Sequence, residues 1–252
     1  MRPFGRSVLQ KESWQGIIFS VRKILMIACW LFIFFLFSCG LDTFYYLDPP
    51  VSRNFIDEAE SSSDDPSLHY VSFLTSSNAD GSDVFQGTSV YYMIYNSSSL
   101  LLSDKTSIEN INENNSNQGM NRLIQWGYQA LTTSTINTVN LVPNSMGITE
   151  VRIRLYNEDG NPAEVRIDGI DKGMPLRAFE NKTFSFNANA EVGSMYSVPR
   201  EEESDVRFSS NYPTTTWYVA LYAVSTGMSP SLTPVYSQVT YLGSLAITPT
   251  SN

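Results

Sequence analysis

The sequence predicts an all-β fold, an antiparallel β-sandwich with a partly helical insertion. Six segments rich in β-branched and aromatic residues are separated by Gly, Pro, Asn and Ser turns, a pattern typical of sandwiches and barrels. Two of these segments alternate apolar and polar residues as the strands of a hairpin do, and one stretch has a helical period. The predicted strands cover residues 68–75, 88–95, 148–156, 163–167, 215–224 and 235–246.

The N-terminal part of the chain has the three-part layout of a bacterial lipoprotein signal peptide. Arg22 and Lys23 precede the uncharged run 24–37, and the small residue Ser38 stands before Cys39. The run has 14 residues, whereas a helix needs about 20 to span a bilayer core, so a cleaved signal is favoured over an uncleaved anchor. We therefore predict a signal peptide at residues 1–38, cleavage between Ser38 and Cys39, and lipidation of Cys39.

The residues from Cys39 onward resemble the start of mature spirochaetal lipoproteins. Cys39-Gly40-Leu41 leads into an aromatic segment that ends in Pro49-Pro50. This resemblance, to uncharacterised envelope lipoproteins of the Treponema type, implies a periplasmic or surface-exposed protein held on a membrane by a palmitate-type lipid on Cys39. It implies no ligand, reaction or cofactor. A start at Val21 instead of Met1 remains an alternative and would make residues 1–20 an extension.

The charge of the predicted mature chain limits its partners. Residues 39–252 contain 11 Lys and Arg against 24 Asp and Glu, a net charge of −13. Nucleic-acid binding depends on clustered Lys and Arg, so we expect no nucleic-acid partner. An acidic surface does not attract anionic headgroups, so the expected membrane contact is the lipid on Cys39, and a protein partner stays open.

Cysteine and histidine usage argues against most nucleophilic and metal chemistry. Cys29 leaves with the signal peptide and Cys39 is blocked by lipid, so no mature thiol remains for catalysis, disulfides or metal ligation. The only histidine, His69, has no nucleophile or orienting acid near it in sequence, and we predict an exposed residue at a strand edge. We expect no catalytic residue, no metal and no cofactor.

The chain after the lipidation site divides into a tether and a domain. Residues 57–66 are acidic and Ser-rich without a bulky side chain, a composition that predicts a flexible spacer within a tether at 39–66. The domain is expected at 67–248, either as one elaborated sandwich or as two small ones at about 67–145 and 146–248. Residues 119–131 follow a helical period and, with 103–114, predict the helical insertion.

One hairpin is predicted down to its register. Residues 150–156 and 163–168 alternate apolar and charged residues on either side of a loop, Glu158-Asp159-Gly160. The predicted register places Val151 opposite Ile167, Ile153 opposite Val165 and Arg154 opposite Glu164. An anion site built on Arg152, Arg154 and Arg166 is the alternative to ordinary cross-strand pairing, which is favoured.

The C-terminal part resembles the last two strands of a fibronectin type III domain, a sandwich of the immunoglobulin-like kind. An aromatic and aliphatic run at 217–224 is followed by a Gly and Ser-Pro loop and a strand that begins at Pro234, and residues 90–95 match the middle strand before them. The resemblance implies a binding or spacer module. Because rigid sheets present variable loops for contact, the candidate binding residues are in that loop, Gly227, Met228, Ser229 and Pro230.

The remaining acidic motifs are weak. Residues 78–83 and 168–171 place carboxylates beside glycines without the spacing of a calcium loop, and Glu201-Glu202-Glu203 with Asp205 predicts a solvated loop. The favoured function is a non-enzymatic, lipid-anchored envelope protein with a binding or structural β domain. Two alternatives stay open, a solute- or lipid-binding lipoprotein with an apolar cavity and a carboxylate-based hydrolase.

Overall fold

A computed structural model describes residue 26 and residues 45–61, 65–76, 83–113, 116–212 and 215–251. From Tyr45 onward the chain forms one compact unit. The predicted signal peptide lies outside the described residues apart from Met26, and so do its cleavage site at Ser38 and the lipidation site Cys39.

The described part of the chain contains many strands and two α-helices between Tyr45 and Ser251. The strands are β1 (Val51–Asn54), β2 (Ile56–Asp57), β3 (Val71–Leu74), β4 (Phe85–Tyr95), β5 (Gln129–Ala130), β6 (Thr132–Thr133), β7 (Val142–Pro143), β8 (Glu150–Arg154), β9 (Glu164–Ile167), β10 (Ile170–Asp171), β11 (Pro175–Leu176), β12 (Val206–Arg207), β13 (Trp217–Met228), β14 (Pro234–Tyr236) and β15 (Thr240–Ile247). The helices are α1 (Ser98–Asn112) and α2 (Ser116–Gln125). Short 3-10 helices cover Pro66–Leu68 and Asn144–Met146.

Two sheets face each other across the main core. The first has the strand order β1-β3-β8-β9-β10 with antiparallel neighbours throughout. The second has the order β12-β4-β13-β15-β2, in which the long strands β4, β13 and β15 are antiparallel and the short outer strands are parallel to their neighbours. The side chains buried between the sheets include Val71, Phe73, Val151, Ile153 and Val165 from the first sheet and Val90, Tyr92, Val219, Leu221 and Leu245 from the second. The predicted β-sandwich-like architecture is confirmed at this level.

The helical insertion covers the other face of the second sheet. Side chains of β4 and β13 on that face pack against the buried side chains of both helices, which are Leu101, Ile108, Met120 and Leu123. Helix α1 begins after Ser97, whose hydroxyl accepts a hydrogen bond from the amide of Leu100. Helix α2 ends earlier than the period to residue 131 predicts, because Gly127 takes a positive φ of 84°. The amide of Tyr128 then donates to the carbonyl of Leu123, which closes the helix.

The predicted hairpin has the predicted strand register but a different turn. Strands β8 and β9 pair Val151 with Ile167 and Arg154 with Glu164. The turn consists of two residues, Asp159 and Gly160, with φ of 44° and 80°, and it is closed by paired hydrogen bonds between Glu158 and Asn161. Two consecutive positive φ values match the right-handed twist of the strands better than the three-residue loop that the sequence suggested.

Gly160→Val is expected to lower the free energy of unfolding by about 1–3 kcal/mol, because a β-branched residue is strained at positive φ. An added Cβ meets nothing within 4 Å, so backbone strain alone sets the effect. Urea unfolding measures the loss. Gly160→Asn is the control, since Asn tolerates this conformation, and equal losses in both variants would contradict the explanation.

The predicted tether at 39–66 is wrong for residues 51–60, and so is the flexible spacer within it for residues 57–60. Strand β1 pairs with β3, β2 pairs with β15, and the carboxylates of Asp57 and Glu58 are buried. Lys105 Nζ lies 2.9 Å from Asp57 Oδ2 and 2.7 Å from Glu60 Oε1. Asp57 and Glu60 thus share one cation from a helix about 45 residues away in sequence, which composition does not reveal. Residues 62–64 of the predicted spacer lie outside the described residues.

The division into two small sandwiches at about residue 145 is not what the structure contains. Strand β3, before that boundary, pairs with β8, after it, and β4 likewise pairs with β13. Each sheet is therefore built from both halves, and the halves share one core.

Candidate functional site

The predicted binding loop connects β13 to β14 as a tight hairpin. Gly227 pairs with Val235 and Met228 with Pro234. The amide of Ser229 donates to the carbonyl of Thr233 at 2.9 Å, and the amide of Leu232 donates back to the Ser229 carbonyl at 2.9 Å. The loop is therefore ordered by its own hydrogen bonds.

Only part of this loop is available to a partner. Gly227 and Ser229 are buried, Met228 is half-buried and Pro230 is exposed. Leu232 at the tip is 80% exposed. An added Cβ at Gly227 would lie 2.5 Å from the Val84 carbonyl oxygen, so this glycine serves packing. A partner at this loop would touch Pro230 and Leu232.

The first residues of the compact unit lie at the same end of the sandwich as this loop. Leu47 is 1% exposed and packs with Val84, Phe85 and Val235 at the base of the hairpin. The Ser225 hydroxyl donates to the Asp48 carbonyl at 2.7 Å. The chain therefore enters the domain next to the candidate loop.

The acidic run at 201–205 is only partly solvated. Glu201 and Glu202 are exposed, as predicted, whereas Glu203 and Asp205 are buried. The reason lies in two buried cations, Arg177 and Lys182, which the sequence places more than 20 residues upstream. The prediction of a solvated loop is wrong for the second half of the run.

The buried ion cluster consists of Arg177, Lys182, Glu203 and Asp205. Arg177 binds Asp205 through two parallel contacts, Nε to Oδ2 at 2.9 Å and Nη2 to Oδ1 at 2.6 Å. Arg177 Nη2 also lies 2.5 Å from Glu203 Oε2, and Lys182 Nζ lies 3.0 Å from Glu203 Oε1. The two cations and the two carboxylates balance, and all four side chains are at most 1% exposed.

The ion cluster holds two loops against β4. The Tyr92 hydroxyl donates to Asp205 Oδ2 at 2.6 Å and accepts from the amide of Ala178 at 2.6 Å. Burial, with the charge of Asp205 as a second cause, raises the pKa of Tyr92 well above its ordinary value, so it stays a donor. The contacts with Tyr92 and Arg177 engage both Asp205 oxygens within the fold.

His69 is buried, so its predicted exposure at a strand edge is wrong. Its Nδ1 lies 2.6 Å from Glu158 Oε2 and 3.0 Å from the Tyr156 hydroxyl, and its Nε2 lies 3.3 Å from Glu58 Oε1. Burial first, and then the Glu158 and Glu58 charges, raise the pKa of Tyr156. The group joins the segment after β2 to the turn of the β8–β9 hairpin. No local sequence signal marks it, because its two carboxylates come from distant parts of the chain.

The three arginines of the alternative anion site lie on one face of the hairpin, with Arg152 directly opposite Arg166, but each is engaged by other groups of the fold. Arg154 is 2% exposed and donates to the carbonyls of Pro66 at 2.7 Å and Ser67 at 2.9 Å. The guanidinium of Arg152 lies 3.8 Å from the centre of the Tyr70 ring. Glu164 forms its ion pair with Arg166 on the same strand, at 2.9 Å. It does not pair with Arg154, which lies opposite it on β8. Structural contacts therefore occupy these cations.

The glycine-flanked carboxylates at 168–171 form the tight turn between β9 and β10, with φ of 49° at Asp168 and 74° at Gly169. Of the other such motif, residues 78–82 lie outside the described residues. Within the described ranges, His, Cys, Asp and Glu side chains form no group of three or more that could hold a metal ion.

A cavity of about 570 Å³ lies beside β9. Its lining is mainly apolar and combines core side chains with residues of the 135–146 segment, namely Ile136, Leu141, Pro143, Met146 and Ile167 together with Thr135, Thr138, Asn140 and Lys172. A second, more polar depression of about 430 Å³ is lined by residues 54–57 together with Glu60, Ser61 and Leu68. Sequence reasoning anticipated an apolar cavity only as a general alternative.

Comparison with protein-family models, with curated proteins and with solved structures found no match for this chain. None of the helices formed by the described residues is long and apolar enough to cross a membrane. The class that the structure supports is a mostly β, sandwich-like domain with a layer of two helices on one face.

Proposed function

We propose that the chain is a lipid-anchored protein of a bacterial envelope whose β-sandwich acts as a non-enzymatic binding or structural module. The observation that carries the proposal is the sequence up to Cys39, in which Arg22 and Lys23 precede 14 uncharged residues and Ser38. A lipid on Cys39 is the membrane contact, and the acidic domain adds no basic surface to it.

The structure supports a shorter tether than the sequence suggested. Tyr45 is six residues after Cys39, a distance of at most about 22 Å in an extended chain. Leu47 is already packed in the domain. A lipid on Cys39 then keeps the Leu47 end of the sandwich close to the membrane surface. A partner that used Pro230 and Leu232 would have to bind beside the membrane.

We infer further that the sandwich is of the fibronectin type III or immunoglobulin-like kind. Strands β4, β13 and β15 are antiparallel neighbours in that order, which matches the C-F-G order of such domains. The helices and β5 to β7 then form an insertion before β8, and β9 and β10 extend the first sheet. This topology supports the likeness of residues 217–241 to the last two strands of that fold.

The hydrolase alternative has less support than the binding or structural role. A glycoside-cleaving pair needs two carboxyl groups that face a substrate across a cleft. Glu203 is held by Arg177 and Lys182 at 0% side-chain exposure, and Glu201 and Glu202 are exposed loop residues. Hydrolysis of a glycan that disappears in Glu201→Gln or Glu202→Gln would reverse this preference.

Cys39→Ala is expected to leave only unprocessed precursor, because in this type of signal peptide the cysteine is lipidated before the chain is cleaved. Wild-type protein should begin at a lipidated Cys39 in mass spectrometry and should incorporate labelled palmitate. Cys29→Ala is the matched control, since Cys29 lies inside the apolar run and should be processed normally. An intact N-terminus upstream of residue 39 in the wild type would refute the lipoprotein assignment.

A further inference from the structure

The sandwich is open at the β10 edge of its first sheet. Ile170 on β10 lies directly opposite Ile167 on β9. Directly opposite residues of an antiparallel pair point to the same face of a sheet. Ile167 is 1% exposed within the main core, whereas Ile170, on the same core-facing side, is 58% exposed. The apolar face of the sheet therefore becomes exposed to solvent at Ile170.

The 570 Å³ cavity lies at this edge and has the size and chemistry of a small-molecule site. Such sites measure about 300–1,000 Å³ and combine apolar walls with a few polar groups. The walls come from both sides of the opening, since Ile167 belongs to the first sheet and Pro143, on β7, pairs with β4 of the second. Val139, between the lining residues Thr138 and Asn140, is 57% exposed.

Lys172 supplies the charge of the cavity. It is the one ionisable side chain among the lining residues, and within the described ranges no ion pair involves it. Its backbone is fixed, because its carbonyl accepts from the hydroxyls of Thr133 at 2.5 Å and Thr135 at 2.6 Å. Oδ1 of the neighbouring Asp171 accepts a hydrogen bond from the amide of Gly173 at 2.7 Å.

We propose that this cavity binds a long-chain fatty acid, with the acyl chain against Ile136, Leu141 and Ile167 and the carboxylate at Lys172. Burial of methylene groups in an apolar cavity is favourable in proportion to the area removed from water. The compact ammonium of this lining lysine matches a single carboxylate. A cavity whose lining is mainly apolar and includes one cation but no carboxylate favours an amphiphile with a single negative charge. The site does not depend on lipidation of Cys39.

Photocrosslinking in the full chain tests the proposal. The protein is reconstituted into phosphatidylcholine vesicles with palmitic acid that carries a photoreactive diazirine near the end of its chain, and labelled peptides are identified by mass spectrometry. Label is expected within residues 135–146 and at Ile167, which form the apolar walls. The corresponding fatty alcohol, which has the same chain without the charge, is expected to label these residues at least fivefold less.

Variants at Lys172 separate the charge from the apolar walls. Lys172→Met should reduce labelling by the acid to the level of the alcohol, and Lys172→Arg should retain it. Arg53→Met is the matched control, because Arg53 is an exposed cation on β1 at the opposite edge of the same sheet, and labelling should match the wild type. Equal labelling by acid and alcohol in the wild type, or label concentrated away from both residues 135–146 and Ile167, would overturn the proposal even if a variant failed to fold.

Discussion

Arg177→Met is expected to lower the free energy of unfolding by about 3–5 kcal/mol, the usual cost of removing one partner from a buried ion pair. Arg177 contacts both Glu203 and Asp205, and all three side chains are 0% exposed. Without the guanidinium, Asp205 retains the Tyr92 hydroxyl, and Glu203 retains Lys182 and, at 3.7 Å, the partly exposed Arg200. Two carboxylates then share one buried cation, so the site carries excess negative charge in a region of low dielectric constant.

Urea unfolding of wild type and variant measures this loss. Arg166→Met is the matched control, because Arg166 also pairs with a glutamate, but water reaches this pair from the Arg166 side, where the side chain is 45% exposed against 11% for Glu164. Exposed ion pairs contribute about 0–1 kcal/mol. If Arg177→Met lowered stability no more than Arg166→Met does, the buried ion cluster would not stabilise the fold as its geometry indicates.

Gly243→Ala is expected to cost about 2–4 kcal/mol, because it combines backbone strain with a steric clash. Gly243 has a φ of +124°, and an added Cβ would lie 1.9 Å from the backbone carbonyl oxygen of Ile56. Ile56 is the partner of Gly243 in the parallel pairing of β2 with β15. The methyl group can be accommodated only if β2 moves away from the sheet.

The control for this variant is Gly193→Ala. Gly193 has a similarly unfavourable φ of +88°, but an added Cβ there meets nothing within 4 Å. The difference between the two losses therefore measures the clash with β2. Hydrogen exchange gives a local readout, since the amide of Glu58 bonds to the Ser244 carbonyl at 3.1 Å and should lose protection only in Gly243→Ala. Equal losses and unchanged protection would show that β2 does not depend on this glycine.

The sequence was most informative where the pattern is local. The alternation of apolar and charged residues predicted the β8–β9 pairing residue by residue, because a shift by one would move every apolar side chain to the wrong face. The aromatic and β-branched runs likewise predicted β4 and β13, whereas the run 235–246, predicted as one strand, is divided between β14 and β15. The position of the turn at Asp159 and Gly160 was predicted correctly, but the predicted loop was one residue too long. Turn type depends on φ values, which composition does not fully determine.

The candidate sites show the same difference between local sequence patterns and tertiary structure. The lipidation site at Cys39 depends on contiguous residues and was predicted from the sequence, although it lies outside the described residues. The loop at 227–234 was predicted as a connection between strands, but the burial of Gly227 and Ser229 depends on packing against Val84 and on contacts within the hairpin. The cavity at Lys172 requires that the 135–146 segment lie beside β9, and no sequence pattern indicates that arrangement.

By itself, the sequence determined the β-rich class, the helical insertion, the acidic character and the signal-like N-terminus. Only the tertiary structure decided which polar residues are buried. Asp57, His69, Glu203 and Asp205 belong to polar or exposed segments by composition, yet each is buried with partners from distant parts of the chain. The physical reason is that burial of a charge is tolerated only where an opposite charge or hydrogen-bond donor meets it, and those partners come together only when the sheets pack.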